Sequence, residues 1–203
     1  MTVYHGDAVR RASQRASNMA TIPQTRPITA DEFLEMEFDG PAELVRGEII
    51  EMTRPGLQHG IVCGNAYALI RPWFKQDGGW FVVTNDAGIL TERNPDTLRG
   101  PDVFAIRKSH FPEGKPPVGW TKVPPELAIE VLSEHDRWQD VLSKSTEYLN
   151  AGVREVWVID PFARVVHVFL PDIAPVQWSR DDQLTSRLLP GFSASVAHLF
   201  EDL

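Results

Sequence analysis

Four side chains combine reactive chemistry with an unusual local setting. They are Glu43 in Glu43-Leu44-Val45-Arg46-Gly47-Glu48, Asp102 in Gly100-Pro101-Asp102-Val103, Glu130 in Leu127-Ala128-Ile129-Glu130-Val131-Leu132-Ser133, and Lys144. Asp102 and Glu130 lie in apolar, strand-like runs, where a carboxylate is costly to bury unless a cation, a metal ion or hydrogen bonds compensate it. Two such positions suggest one shared compensating ion. An oxygen-only site suits a hard cation, with Mg²⁺ the ordinary choice and Mn²⁺ a substitute. Lys144 follows on a predicted helix, where its ammonium could face charge that develops in a transition state.

Phosphodiester hydrolysis needs this set of groups. Water must add to an already anionic phosphorus centre, so the water has to be deprotonated and the growing charge stabilised. A divalent ion held by carboxylates from neighbouring strands does both. Each residue also has a plainer reading. Asp102 could bond a nearby turn at a strand edge, where Pro101 holds the chain extended. Glu130, in phase with Ala128 and Leu132, could form a buried ion pair with Arg137 or Lys144. Lys144 could pair with Asp140 one turn earlier on an exposed helix face. A glycosidase-type pair of acids is a further alternative, one that gives Lys144 no role.

The elements that must position these residues follow from local signals. Residues 1–26, rich in Arg, Ser, Ala, Gln and Thr, read as a flexible tail, and 27–203 as one domain. Thr29-Ala30-Asp31-Glu32 has the form of a capping box. Glu43 to Met52 reads as a hairpin around Arg46-Gly47. Val62, Ala66, Leu69, Ile70 and Trp73 recur at helical spacing between Leu57 and Phe74. Gly78-Gly79 then breaks the chain before a strand from Trp80 to Leu90. A turn-rich stretch, Thr91 to Gly100, leads to a short strand, Asp102 to Ile106. Arg107 to Pro125, with five prolines and two glycines, predicts a long irregular loop, either a surface excursion or a basic, aromatic substrate clamp.

Glu126 to Leu132 is nearly all apolar and predicts a central strand covered on both faces. A helix from about Arg137 to Asn150 follows, with an apolar stripe through Trp138, Val141, Leu142, Tyr148 and Leu149 and a C-cap at Gly152. Lys144 sits on the margin of that stripe. Arg154 to Ile159 and Val165 to Leu170 predict a strand pair. The tail after Asp172 predicts another strand and a short helix near Val196 to Phe200. The sum is an α/β (α+β) fold with a mixed central sheet flanked by helices.

Composition excludes several classes. The 203 residues are 42% apolar with six tryptophans, enough for a substantial core. No apolar run approaches the length of a membrane span, and the polar first 26 residues lack the centre of a secretory signal. The single cysteine, Cys63, removes any disulfide framework or multi-cysteine zinc site and fits a cytoplasmic setting. No Gly-rich phosphate loop and no G-x-S-x-G elbow occurs. The formal charge is −8. Four arginines against Asp7 make residues 1–26 +3, which leaves −11 for the rest. Such a chain does not coat nucleic acid by phosphate neutralisation alone. A nuclease needs only a local positive groove.

The chain resembles the Uma-two group of restriction-endonuclease-like proteins, within the PD-(D/E)XK nuclease superfamily. The matching pieces are Glu43 through Ile49, Gln58-His59, Pro101-Asp102-Val103, Ile129 through Ser133, Lys144 through Tyr148, Gly152-Val153, and Glu155 through Pro161. They span roughly residues 28–170, in an order and spacing that make the match specific. The resemblance implies a restriction-endonuclease-like fold and a Mg²⁺-dependent site with Asp102, Glu130 and Glu43 as metal ligands. The superfamily's usual lysine, two residues after the glutamate, is Leu132 here. The family is similar in relocating it to the next helix, where Lys144 matches. His59 matches a family histidine, with a helix-capping or core role as its plainer reading.

The expected activity is therefore a Mg²⁺-dependent endonuclease acting on DNA through Glu43, Asp102, Glu130 and Lys144. The alternative is a nuclease fold that binds nucleic acid or a protein without cutting. A homodimer is expected, since paired active sites cut both strands and two-fold assemblies are the commonest closed ones.

Overall fold

The computed structural model describes residues 26–203. The tail expected over residues 1–26 lies outside that range, apart from Arg26, which donates to the Glu32 carboxylate at 2.9 Å. Helix α1 (Ala30–Leu34) starts at the capping box: Thr29 Oγ1 accepts from Glu32 N, and the Glu32 carboxylate accepts from Thr29 N. Strands β1 (Ala42–Val45) and β2 (Glu48–Glu51) form the predicted hairpin. Its turn residues Arg46 and Gly47 both have positive φ, which matches the twist of the flanking strands. Helix α2 (Leu57–Asp77) buries Val62, Ala66, Ile70 and Phe74 along one stripe and ends at Gly78 in the left-handed conformation.

The single strand expected from Trp80 to Leu90 is two strands, β3 (Trp80–Thr84) and β4 (Ile89–Glu92), in different sheets. Asn85 and Asp86 lie at φ 68° and 53° between them, a conformation that short polar side chains tolerate and that an extended strand cannot contain. The stretch expected to be only turns holds β5 (Thr97–Arg99), whose three residues are too few to show alternation.

Next come β6 (Val103–Arg107), β7 (Leu127–Val131), α3 (Trp138–Ala151), β8 (Glu155–Asp160) and β9 (Val165–Phe169). The C-terminal region carries β10 (Val176–Ser179), β11 (Gln183–Thr185) and β12 (Ser193–Ser195), two strands more than expected, then a 3₁₀ turn at Val196–Phe200.

The main sheet has the order β10-β9-β8-β7-β6-β3 and is mixed. Only β7 and β8 run parallel, joined by the α3 crossover, as a parallel pair requires. Period-two alternation divides β7 between two layers. Leu127, Ile129 and Val131 face α2 and the C-terminal turn, where Ile70, Phe74, Trp157 and Leu199 share the core. Ala128 and Leu132 face α3, against Val141, Tyr148 and Val158. Glu130 is in phase with this second set. The α3 stripe differs from the expected one. Val141, Ser145 and Tyr148 are buried, while Trp138 and Leu142 are exposed and Trp138 stacks near His167, ring centroids 4.7 Å apart.

A second, antiparallel sheet, β2-β1-β5-β4, packs with α1 and Trp120 around Leu44, Leu90 and Leu98. The 107–125 stretch is not a free loop. Trp120 is buried, and Thr121 exchanges backbone hydrogen bonds with Gly88 and Leu90 at 3.0 and 2.9 Å.

Gly100 lies on the link between β5 of one sheet and β6 of the other, close against the backbone of Asp86. A Cβ there would stand 2.6 Å from the Asp86 carbonyl oxygen, which is backbone and cannot rotate away. Gly100→Ala should therefore force a main-chain shift costing about 1–3 kcal/mol. At roughly 2–4 °C per kcal/mol for a chain of this size, calorimetry should show a clear drop in melting temperature. An unchanged value would show that the contact is not tight.

Candidate active site

The register of the main sheet sets two carboxylates side by side. Val103 pairs with Ile129 and Phe104 with Ala128, so one further step places Asp102 opposite Glu130 on the α3 face. Asp102 lies just before β6 and turns one oxygen to the sheet, where Oδ2 accepts from Val131 N at 2.7 Å. Its Oδ1 stands 3.2 Å from His59 Nε2 at the start of α2. The plainer reading had Asp102 bonding a nearby turn; it bonds the neighbouring strand β7 instead, and it lines the cleft as well.

Glu43 arrives from the second sheet by the same logic. Leu44 pairs with Leu98, so Arg99 lies opposite Glu43, and Arg99 Nη1 donates to Glu43 Oε2 at 2.8 Å. Gly100 N donates to Glu43 Oε1 at 3.1 Å. The other side of the Arg99 guanidinium meets Glu147 of α3, with Nη2 2.7 Å from Oε2. Thr91 of β4 also donates to Glu147.

Helix α3 closes the arrangement. Lys144, Glu147 and Tyr148 are three and four residues apart and so lie on one face. Lys144 Nζ stands 3.0 Å from both Glu43 Oε1 and Glu130 Oε2. Tyr148 donates to Glu130 Oε1 at 2.7 Å. The pairing with Asp140 is absent, and Lys144 rather than Arg137 is the partner of Glu130. Leu132 packs with Val141 and Tyr148, so the ammonium beside Glu130 comes from the helix and not from the strand. All four residues singled out in the sequence thus converge, lining a cleft of about 800 Å³.

Charge is unevenly compensated. Burial pushes Glu43 upward, but the Lys144 and Arg99 charges outweigh it and hold its carboxyl below the usual value. Glu130 goes the other way. Its burial exceeds the Lys144 attraction, Asp102 and Glu43 add repulsion, and its value rises to about 7. Lys144 is desolvated too, yet Glu130 and Glu43 keep it firmly protonated. The consistent state has a charged Lys144, an ionised Glu43 and a proton held near Glu130. Burial also raises Asp86, reinforced by the Asp102 charge.

Sequence reasoning missed Arg99, Glu147, Tyr148 and Asp86. Arg99 and Glu147 lie far apart in the chain and meet only when α3 covers the second sheet. Asp86 had one legible signal, the Asn-Asp-Ala-Gly run after a β-branched strand, which marks a turn. His59 caps no helix; it bonds Asp102 and sits 3.4 Å from Cys63 Sγ through Nδ1.

Residues 30–197 match the family model described as "Uma2: Putative restriction endonuclease". The chain belongs to the Uma2 family. Among solved structures it resembles a "putative nuclease belonging to DUF820" from Anabaena variabilis, with a TM-score of 0.75 and 23% identity. The match covers 86% of this chain and 98% of the other. That likeness supports the mixed-sheet nuclease fold. No curated protein shows a significant sequence match. No helix among the described residues of this Uma2 protein is long and apolar enough to cross a membrane.

The raised Glu130 value has a measurable consequence in metal-free protein. Between the ordinary carboxylate value of 4.5 and about 7, the unfolded chain releases a proton that the folded one keeps. Stability from this group is thus fully present below about pH 4.5 and lost as pH rises to 7, on the order of 3 kcal/mol. Melting curves in chelator should fall from pH 5 to pH 8 in wild type and fall less in Glu130→Gln. Equal slopes would place the proton elsewhere.

Proposed function

We propose that this Uma2 protein is a Mg²⁺-dependent endonuclease that hydrolyses DNA phosphodiester bonds. One observation carries the reading: Glu43 and Glu130 from two sheets meet at the ammonium of Lys144, and Asp102 lines the same open cleft. Asp86 adds a further carboxylate there, and Arg99 is already engaged by Glu43 and Glu147. The surplus of carboxylate over free cation is what a hard divalent ion neutralises.

The donor set fits such an ion. Asp102 and Glu130 are adjacent, all-oxygen and open to the cleft, and they would hold it directly. Both oxygens of Glu43 and of Glu130 already accept hydrogen bonds, so Glu130 would share a hydrogen-bonded oxygen with the ion and Glu43 would complete the cluster. When bound, the ion polarises the phosphate and acidifies a water.

The chain's own groups supply the rest. Glu43 and Glu130 hold the Lys144 ammonium at a fixed point, where it orients the attacking water and stabilises charge on the phosphorus oxygens. Tyr148 fixes the Glu130 carboxyl through Oε1, which leaves Oε2 facing Lys144. Arg99 and Glu147 lock the β5 end against α3 and so keep Glu43 in place. The cleft volume suits a nucleotide unit rather than an ion alone. A cytoplasmic homodimer would pair two such sites on opposite strands, and light scattering that returns the mass of one 22.8 kDa chain would refute the pairing.

Cleavage of supercoiled and single-stranded DNA with Mg²⁺ or Mn²⁺ tests the reading. Asp102→Asn and Glu130→Gln should abolish cutting and the calorimetric heat of Mg²⁺ binding. Wild-type protein that binds neither ion would favour the non-cutting alternative. Activity equal in wild type and both variants would mean a contaminating nuclease.

Lys144→Ala separates mechanism from binding. A preorganised charged donor contributes roughly 3–4 kcal/mol to the transition state, so turnover should fall about a hundredfold to a thousandfold with DNA affinity nearly intact. Lys144→Arg should restore little, because a planar fork does not replace a compact ammonium between two carboxylates. An alanine variant within about threefold of wild type would remove Lys144 from the chemistry.

A further inference from the structure

The mechanism above leaves one ligand-bearing group unused. His59 and Cys63, four residues apart, occupy one face of the first turns of α2. Both side chains point at Asp102, and one ligand atom from each of the three lies within 4.8 Å of the others. The distances are informative. His59 Nε2 is 3.2 Å from Asp102 Oδ1 and 4.0 Å from Cys63 Sγ. In a tetrahedral zinc site, with bonds of about 2.0–2.3 Å, neighbouring ligand atoms stand roughly 3.3–3.7 Å apart. The observed pair brackets that span; Sγ lies nearer Nδ1, at 3.4 Å, so a turn of the imidazole would bring Nε2, Sγ and the Asp102 carboxylate to one ion.

We propose that His59, Cys63 and Asp102 form a second cation site that takes a borderline-soft ion of the Zn²⁺ class and shares Asp102 with the hard-cation site. The nitrogen, sulfur and oxygen donors differ in kind from the all-oxygen pair of Asp102 and Glu130, so the two sites select different metals. Three protein ligands leave a fourth position for water, on the side where His59 and Asp102 line the cleft. Coordination releases the thiol proton to solvent and leaves a metal-bound thiolate. Asp102 serves one ion at a time. Filling the soft site therefore withdraws a ligand from the Mg²⁺ site and stops cleavage.

The inhibitory consequence rests on the nuclease reading, whereas the site itself does not. Co²⁺ is the probe, because a cobalt–thiolate bond gives a charge-transfer absorption that oxygen and nitrogen ligands lack. Full-length protein titrated with Co²⁺ should develop that band at one equivalent, and Zn²⁺ should bleach it. Cys63→Ser should lose the band while keeping its melting temperature and its Mg²⁺-dependent cleavage. Glu130→Gln should keep the band while losing Mg²⁺ binding, which separates failure of one site from failure of the other. Zn²⁺ should also inhibit wild-type cleavage, and Cys63→Ser should need at least about tenfold more of it. No charge-transfer band in folded wild type, or a band that persists in Cys63→Ser, would overturn the proposal.

Discussion

The double ion pair of Lys144 is the interaction on which the rest of the site depends. Its ammonium bridges Glu43 of the small sheet and Glu130 of the main sheet, so helix α3 ties the two layers together. Removing either carboxylate would leave a buried charge half compensated, and removing the lysine would leave two carboxylates facing each other. Arg99 repeats the device one turn along, between Glu43 and Glu147. The order of groups is Glu130, Lys144, Glu43, Arg99, Glu147, acids alternating with bases, with the shared proton near Glu130. Such a chain is satisfied along its length, and the residual negative charge falls on Asp102 and Asp86 at the open side.

That residual charge bears on the acidic composition. A chain with more acidic than basic residues repels a polyanion over most of its surface. Two of the cations lining the cleft, Lys144 and Arg99, are engaged by carboxylates, so neither is free to attract a phosphate. On the proposed function, a divalent ion would do more than activate water. It would reverse the local sign that a phosphate meets, so metal binding would precede substrate binding for electrostatic reasons.

The position of the lysine follows from the same geometry. Leu132, just after strand β7, fills the layer between the sheet and α3, where an ammonium would be desolvated beside Val141. Helix α3 instead delivers Nζ from the side, its stem lying along the helix and its head between two acceptors.

The sequence by itself determined the secondary elements with strong periodicity and the residues whose setting was costly. The capping box at Thr29, the Gly152 helix end, the apolar β7 and β8 runs and the stripe of α2 are local patterns, and the structure keeps them. Glu130 and Asp102 were legible because a charge in an apolar strand needs a partner wherever it goes. Only the tertiary structure decided what that partner would be. The break at Asn85-Asp86 depends on two residues adopting positive φ, which leaves no periodic signal, and it sends β3 and β4 to different sheets. Strand β5 is too short to alternate, so Arg99 could not be placed opposite Glu43 in advance. The stripe of α3 was misjudged at Trp138 and Leu142 because apolar type alone does not reveal which face a polar site will claim. Lys144, Glu147 and Tyr148 claimed that face because two sheets offered them charges and a hydroxyl acceptor, and such an arrangement exists only once both sheets are assembled.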